Sequence, residues 1–126
     1  MPKLNNRKQE PLESAIQNRL IRLFEQQGWY VQKTEGRSRN GFPDVTAVDP
    51  LGNVWFIELK RTVGKPSPDQ CRELKALAEH NANVMLLYGS KAVVELLYHN
   101  LVNMTNVYHE ILVVDSEGKM KWTREI

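Results

Sequence analysis

The sequence has little that would tie it to an oxidising compartment or to a membrane. Cys71 is the only cysteine, so no internal disulfide can form, and disulfides are typical of secreted proteins. No apolar run approaches the roughly 20 residues that span a bilayer. Residues 1–10 are polar and basic, with no hydrophobic stretch behind them. We therefore expect a cytoplasmic protein that inserts into no membrane.

The chain also lacks the close cysteine and histidine pairs that bind zinc. Its three histidines, His80, His99 and His109, lie far apart in the sequence, whereas structural zinc sites draw on ligands a few residues apart. A zinc site is therefore not predicted from these residues.

The chain has no strong excess of charge of one sign, so any indication of a charged partner must come from the positions of its basic residues. The net charge of +2 is too small to identify a partner. Solvated surface charge is the ordinary interpretation of single basic residues. Here, however, the basic residues cluster on both sides of one segment: Arg37, Arg39, Lys60, Arg61, Lys65, Arg72 and Lys75. The ordinary interpretation remains the default unless a site near this segment gives these residues a role.

The length of 126 residues fits one hydrophobic core, because two cores would each be too small. We predict a flexible N-terminal arm at residues 1–10 and a single domain at residues 11–126.

Apolar spacing and turn residues predict alternating helices and strands. Apolar residues three and four apart predict a helix at residues 11–27, with Gly28 as its stop. Ser67, Pro68 and Gln70 match a capped helix start, and this helix is predicted to run to about residue 80. Ser90 is predicted to cap a further helix to about residue 101. Strands are predicted at residues 29–33, 45–49, 54–61, 83–88, 108–114 and 120–123, the last two as a terminal hairpin.

The strands at 45–49 and 54–61 are predicted to form an antiparallel hairpin that gathers acidic residues. Strand side chains alternate, so Glu58 and Lys60 share one face, and Asp44 begins the facing strand. Two carboxylates so placed suit a hard cation, Mg²⁺ or Mn²⁺, which also binds phosphate oxygens. Lys60 could orient an attacking water or stabilise the phosphate, and both duties remain open. The pattern favours phosphodiester hydrolysis.

Simpler interpretations exist for each residue taken singly. Glu58 and Lys60 could form an ion pair on a solvated face, and Asp44 could cap a turn. Paired carboxylates also serve glycoside hydrolysis, although the lysine argues against that chemistry. A module that binds DNA without cutting it is a further alternative.

Three short motifs in a fixed order resemble the VRR-NUC family of the PD-(D/E)xK nuclease superfamily. They are Gly41-Phe42-Pro43-Asp44, then Phe56-Ile57-Glu58-Leu59-Lys60-Arg61, then Lys65-Pro66-Ser67 with Gln70. The resemblance extends from Glu13 to about Tyr88. The chain departs from many relatives directly before the glycine, where Asn40 stands in place of arginine and Arg39 lies one position earlier.

The resemblance implies an α/β fold with a restriction-endonuclease-like core. This core has the order α-β-β-β-α-β, with a mixed sheet flanked by helices, and here it would carry an extra C-terminal helix and hairpin. The implied metal ligands are Asp44, Glu58 and the main-chain carbonyl of Leu59, and Lys60 would be the catalytic lysine. Glu13 would bind a metal-linked water or a second ion, and Gln70 matches the glutamine after the motif strand. Alternatively, Glu13 only favours its helix N-terminus and Gln70 only completes a capping box.

Short stand-alone members of the family resemble junction resolvases that act as homodimers, whereas larger members cut flaps. We therefore expect a metal-dependent DNA endonuclease that prefers branched DNA, such as a four-way junction, in a bacterial or phage-infected cell. A flap or general nuclease is the alternative. Residues 108–114 could supply a dimer surface, although a core or edge strand would have the same composition. The expected phosphate contacts are Arg37, Arg39, Arg61, Lys65 and Arg72.

Overall fold

The computed structural model describes residues 12–34, 39–98 and 108–126. These residues form three helices and six strands. In chain order they are α1 (Glu13–Gln26), β1 (Tyr30–Lys33), β2 (Val45–Val48), β3 (Val54–Lys60), α2 (Pro68–Glu79), β4 (Asn83–Tyr88), α3 (Gly89–Tyr98), β5 (Ile111–Val114) and β6 (Met120–Thr123). None of the helices described is long and apolar enough to span a membrane.

The six strands form one mixed sheet whose strand order follows the chain, β1-β2-β3-β4-β5-β6. The first three strands are antiparallel, β3, β4 and β5 are parallel, and β6 returns antiparallel to β5. The elements α1 to β4 follow the predicted α-β-β-β-α-β order. The α3 helix and the β5–β6 hairpin are the predicted C-terminal additions, so the predicted fold class is confirmed.

Helices cover both faces of the sheet because the buried side chains of each strand alternate. One face packs against α1 and α3 and includes Trp55, Ile57 and Leu59 of β3. The other face packs against Leu74 and Ala78 of α2, which cover β4 and β5. On β3, that second face carries Glu58, which is fully buried, and Lys60. The alternation predicted for β3 is therefore confirmed.

Two predicted details of the C-terminal part are wrong. Ser90 does not cap α3, because the helix already begins at Gly89, whose φ of 84° lets the chain turn directly out of β4. The strand predicted from residue 108 begins only at Ile111. His109 has a φ of 60°, and its ring nitrogen lies 3.3 Å from the Ala78 carbonyl, so the chain turns there instead of extending.

The suggested dimer surface at residues 108–114 is also wrong for its strand portion. The β5 strand lies between β4 and β6, so it is not an edge of the sheet. Ile111, Leu112 and Val114 are buried in the core of their own chain. The predicted arm at residues 1–10 and the predicted end of the α3 helix near residue 101 lie outside the described residues.

Candidate active site

The open end of the β2–β3 hairpin brings the first two carboxylates together. The register runs from Val48 opposite Val54 to Val45 opposite Ile57, and one further step sets Asp44 opposite Glu58. The Asp49 amide donates to the Asn53 carbonyl at 2.9 Å, so by alternation the Asp44 and Glu58 positions form a pair without mutual backbone hydrogen bonds. Facing side chains come closest at such pairs. The pairing register of the β2–β3 hairpin therefore brings the two acids into contact.

The N-terminal turn of α1 adds a third carboxylate to this pair. Glu13, Asp44 and Glu58 each offer an oxygen, and these three atoms lie within 4.8 Å of one another. Gln17, one helical turn after Glu13, hydrogen-bonds the Asp44 side chain. The helix start therefore covers the open end of the hairpin with two polar side chains. We call Glu13, Asp44 and Glu58 the carboxylate cluster.

Lys60 lies beside the carboxylate cluster with its ammonium group between two acids. Its Nζ is 3.7 Å from Glu58 Oε2 and 4.0 Å from Glu13 Oε1, and its side chain is only 12% exposed. Both predicted neighbours on β3 therefore point into the same site. A lysine held by two anions in a half-closed site keeps a fixed position that a flexible surface lysine does not have.

Gln70 reaches the cluster from the first turn of α2. Its side-chain Oε1 accepts a hydrogen bond from the main-chain amide of Ser67 at 2.8 Å. The main-chain amide of Gln70 donates to Ser67 Oγ at 3.1 Å, which completes a capping box. Its Nε2 donates to Glu58 Oε2 at 2.9 Å. Gln70 therefore completes the capping box and also contacts Glu58, because the capping bond to Oε1 turns the side-chain NH₂ group toward Glu58.

Burial and mutual repulsion keep protons on the carboxylate cluster. Burial raises the pKa of Glu58 to about 8, repulsion by Asp44 adds to this, and Lys60 opposes it. Burial also raises the pKa of Asp44, against a hydrogen bond with Glu58 and the charge of Lys60. The pKa of Glu13 is raised as well, chiefly by burial. At neutral pH, without a metal ion, the Asp44–Glu58 pair therefore retains one proton.

The donor set of the cluster fits a hard divalent cation. Glu58 Oε1 is fully buried, and no donor among the described residues reaches it, although buried oxygens normally have a partner. Gln70 and Lys60 occupy the other oxygen, Oε2. By alternation along β3, the Leu59 carbonyl is directed toward β2, where the next residue in register is Pro43, which has no N–H to donate. Carboxylate and carbonyl oxygens of this kind suit Mg²⁺ or Mn²⁺.

The predicted phosphate contacts are less closely grouped than the acids. Arg61 is half-buried, and its charge partly opposes the rise in the pKa of Glu13. Lys65 is exposed in the loop before α2. Arg72 pairs with Asp69 on α2, and Arg39 pairs with Glu73 of the same helix. Arg37 lies outside the described residues.

Two residues with contacts in this region were not predicted from the sequence. Gln17 follows Glu13 by four residues, so helical spacing alone places it on the same face of α1, yet it resembles any polar residue of an amphipathic helix. Glu73 follows Gln70 by three residues on α2. Its partner Arg39 is distant in sequence, and no local pattern indicates that pairing.

Comparisons with known proteins place this chain beside one domain family. The VRR-NUC domain model matches residues 3–91. A solved VRR_NUC domain is 34% identical, covers 69% of this chain and 95% of its own, and superposes with a TM-score of 0.63. SfsA from Pyrococcus furiosus, solved in complex with Ca²⁺, is 19% identical over 87% of this chain and 58% of its own, with a TM-score of 0.41. No curated protein matches the chain.

The predicted resemblance is thereby confirmed, and with it the nuclease-type fold. Residues 3–91 make up most of the chain and contain the carboxylate cluster together with Gln17, Lys60 and Gln70. On that match, the chain belongs to the VRR-NUC domain family.

Proposed function

We propose that the protein is a metal-dependent DNA endonuclease that hydrolyses phosphodiester bonds at the carboxylate cluster. The observation that carries this proposal is the approach of three carboxylate oxygens to within 4.8 Å beside the ammonium group of Lys60. Three acids in one partly buried place repel one another unless a cation joins them. The buried Glu58 Oε1, which no described donor reaches, supports the same conclusion.

Asp44, Glu58 and the Leu59 carbonyl would hold the ion, with Glu13 binding a linked water or a second ion. When bound, Mg²⁺ or Mn²⁺ supplies an attacking water of lowered pKa and neutralises charge on the phosphate. Gln70 holds Glu58 Oε2 at 2.9 Å, which leaves Oε1 to face the ion. Gln17 restrains Asp44 by a hydrogen bond in the same way.

Lys60 would act on the reacting groups directly. Its Nζ is anchored by Glu58 and Glu13, so the ammonium group stays at the mouth of the site without reorganisation. A preorganised cation of this kind stabilises charge that develops on phosphate oxygens. It can equally hold the attacking water by a hydrogen bond, and both roles predict the same loss in a Lys60 variant.

We further propose that the substrate is branched DNA and that the active form is a homodimer. One small domain with one metal site cuts one strand, and a two-fold dimer presents two sites to a junction of matching symmetry. Contacts from Arg61, Lys65 and Arg72 would go mainly to phosphates, because phosphate contacts position DNA without reading its sequence. Sequence selectivity would then be low. A flap or general nuclease of the same fold is the alternative.

The test uses labelled four-way junction, flap, single-stranded and duplex DNA with Mg²⁺, Mn²⁺ or EDTA. Wild type is compared with Lys60→Ala and with Lys119→Ala, a matched control at an exposed lysine of the terminal hairpin. We expect paired nicks in the junction with metal, none in EDTA, strongly slowed nicking with Lys60→Ala and full activity with Lys119→Ala. Equal cutting of all four substrates would replace the branched-DNA proposal with a general nuclease. Tight binding without any cutting would leave a DNA-binding module.

A further inference from the structure

The chain segment that delivers Asp44 rests directly on α2. We call residues 39–44 the Asp44 loop. Gly41 in this loop has a φ of 83°, and a Cβ at that position would lie 2.7 Å from the amide nitrogen of Gln70 and closer still to the main chain of Asp69. No real side chain tolerates that distance, so only glycine allows this contact. The backbone of the loop therefore touches the helix turn that holds Gln70 against Glu58.

A second attachment joins the start of the Asp44 loop to α2 one turn farther along. Arg39 Nε lies 3.3 Å from Glu73 Oε2, and the two side chains differ sharply in exposure, at 80% for Arg39 and 10% for Glu73. A buried carboxylate is rarely left without a partner. Arg39 therefore supplies the charge that Glu73 needs, and in return its end of the loop is fixed to the helix.

A third attachment joins the loop to β3. The rings of Phe42 and Phe56 meet edge to face, with centroids 5.6 Å apart, and Pro43 between Phe42 and Asp44 is buried. Phe56 precedes Glu58 by two residues on the same face of the strand. The loop is thus fixed at Arg39, Gly41 and Phe42 before it reaches Asp44.

We propose that Glu73 is a positioning residue for Asp44, acting through Arg39. This inference rests on the proposed function, in which Asp44 is a metal ligand. The Glu73–Arg39 pair sets where the Asp44 loop begins, Gly41 sets its height above α2, and together they hold the Asp44 carboxylate opposite Glu58. Arg39 then serves first as an anchor of the loop, and not as one of the predicted phosphate contacts.

The experiment measures Mn²⁺ binding by calorimetry on the full chain without DNA. The variants are Arg39→Ala, Glu73→Ala and the double variant, with Glu79→Ala as a control at an exposed glutamate of the same helix. Changes in residues that orient a metal ligand typically weaken metal binding by about tenfold or more. We expect each single variant to weaken Mn²⁺ binding by about tenfold, the double variant to be no weaker than either single one, and the control to match wild type. Glu73→Gln keeps the size of the side chain and one acceptor, so it should lose less Mn²⁺ affinity than Glu73→Ala. This conservative variant also serves as a control for misfolding of Glu73→Ala.

DNA binding in EDTA at several salt concentrations gives the opposing readout. The slope of the logarithm of the DNA-binding constant against the logarithm of salt concentration reports the number of phosphate contacts. If Arg39 instead binds a DNA phosphate, Arg39→Ala would reduce the magnitude of this slope by about one. That result, with wild-type Mn²⁺ affinity in both single variants, would overturn the inference. Losses that multiply in the double variant would also overturn it, because the two residues would then act separately. A wild-type protein that binds no Mn²⁺ at all would overturn the proposed function together with this inference.

Discussion

The buried Glu58 carboxyl should make the metal-free protein less stable as the pH rises. Its pKa in the folded protein is about 8, against an ordinary value of 4.5 in the unfolded chain. Between these values the folded protein binds the additional proton, so its stability is fully present at low pH and falls as the pH rises toward 8. At about 1.4 kcal/mol for each pH unit, the loss between about pH 6 and pH 8.5 amounts to about 2–3 kcal/mol. Glu58→Gln has no such titration, so its stability should stay nearly level over that interval.

Urea unfolding of wild type and Glu58→Gln in EDTA, at several pH values across this interval, measures the difference. Glu79→Gln, at an exposed glutamate of α2, is the matched control and should follow wild type. Added Mg²⁺ should bind the deprotonated site, restore stability to wild type at about pH 8.5 and leave Glu58→Gln unchanged. Parallel curves for wild type and Glu58→Gln would refute the reasoning, because Glu58 would then titrate alike in the folded and unfolded chain.

Three further variants test the surroundings of the cluster. Gly41→Ala would force a Cβ to within 2.7 Å of the main chain of α2. We therefore expect the free energy of unfolding to fall by about 2–4 kcal/mol and Mn²⁺ binding to weaken. A variant with wild-type stability and wild-type Mn²⁺ affinity would contradict the contact between the Asp44 loop and α2. Lys60→Ala should slow single-turnover cleavage by about 100- to 1000-fold while DNA affinity in EDTA changes little, and an unchanged rate would remove Lys60 from the mechanism. Asp49 accepts hydrogen bonds from Leu51, Asn53 and the buried Trp55 indole. Asp49→Ala should therefore lower stability by about 2–4 kcal/mol in urea unfolding with Mn²⁺ affinity unchanged, and a stable variant would show that the hairpin turn needs no such acceptor.

Much of the fold was predictable because its signals are local. The start of α2 was predictable from Ser67, Pro68 and Gln70, and the capping box forms as this residue pattern predicts. The approach of Asp44 to Glu58 was predictable too, since a hairpin register and strand alternation depend on only a few neighbouring residues. Strand β4 has the predicted bounds for the same reason, because its apolar run is short and clearly limited.

The remaining features depend on contacts between distant segments. The docking of Arg39 on Glu73 requires α2 to lie across the Asp44 loop, and no local pattern encodes that position. The late start of β5 likewise results from a turn at His109, which contacts the end of α2. Ser90 was misassigned because the serine pattern of a helix cap is common, and Gly89 performs the turn without it.

The sheet keeps its six strands in the order of the chain, and this has a consequence for how the protein folds during synthesis. Among the six described strands, none has to be inserted between two that are already paired, so each new strand can add to the growing edge as it leaves the ribosome. Contacts between neighbouring segments form quickly because little chain entropy is lost in closing them. Glu13, Asp44, Glu58, Lys60 and Gln70 all lie in the part of the chain from the start of α1 to the end of α2. The carboxylate cluster can therefore assemble before the terminal hairpin has been made.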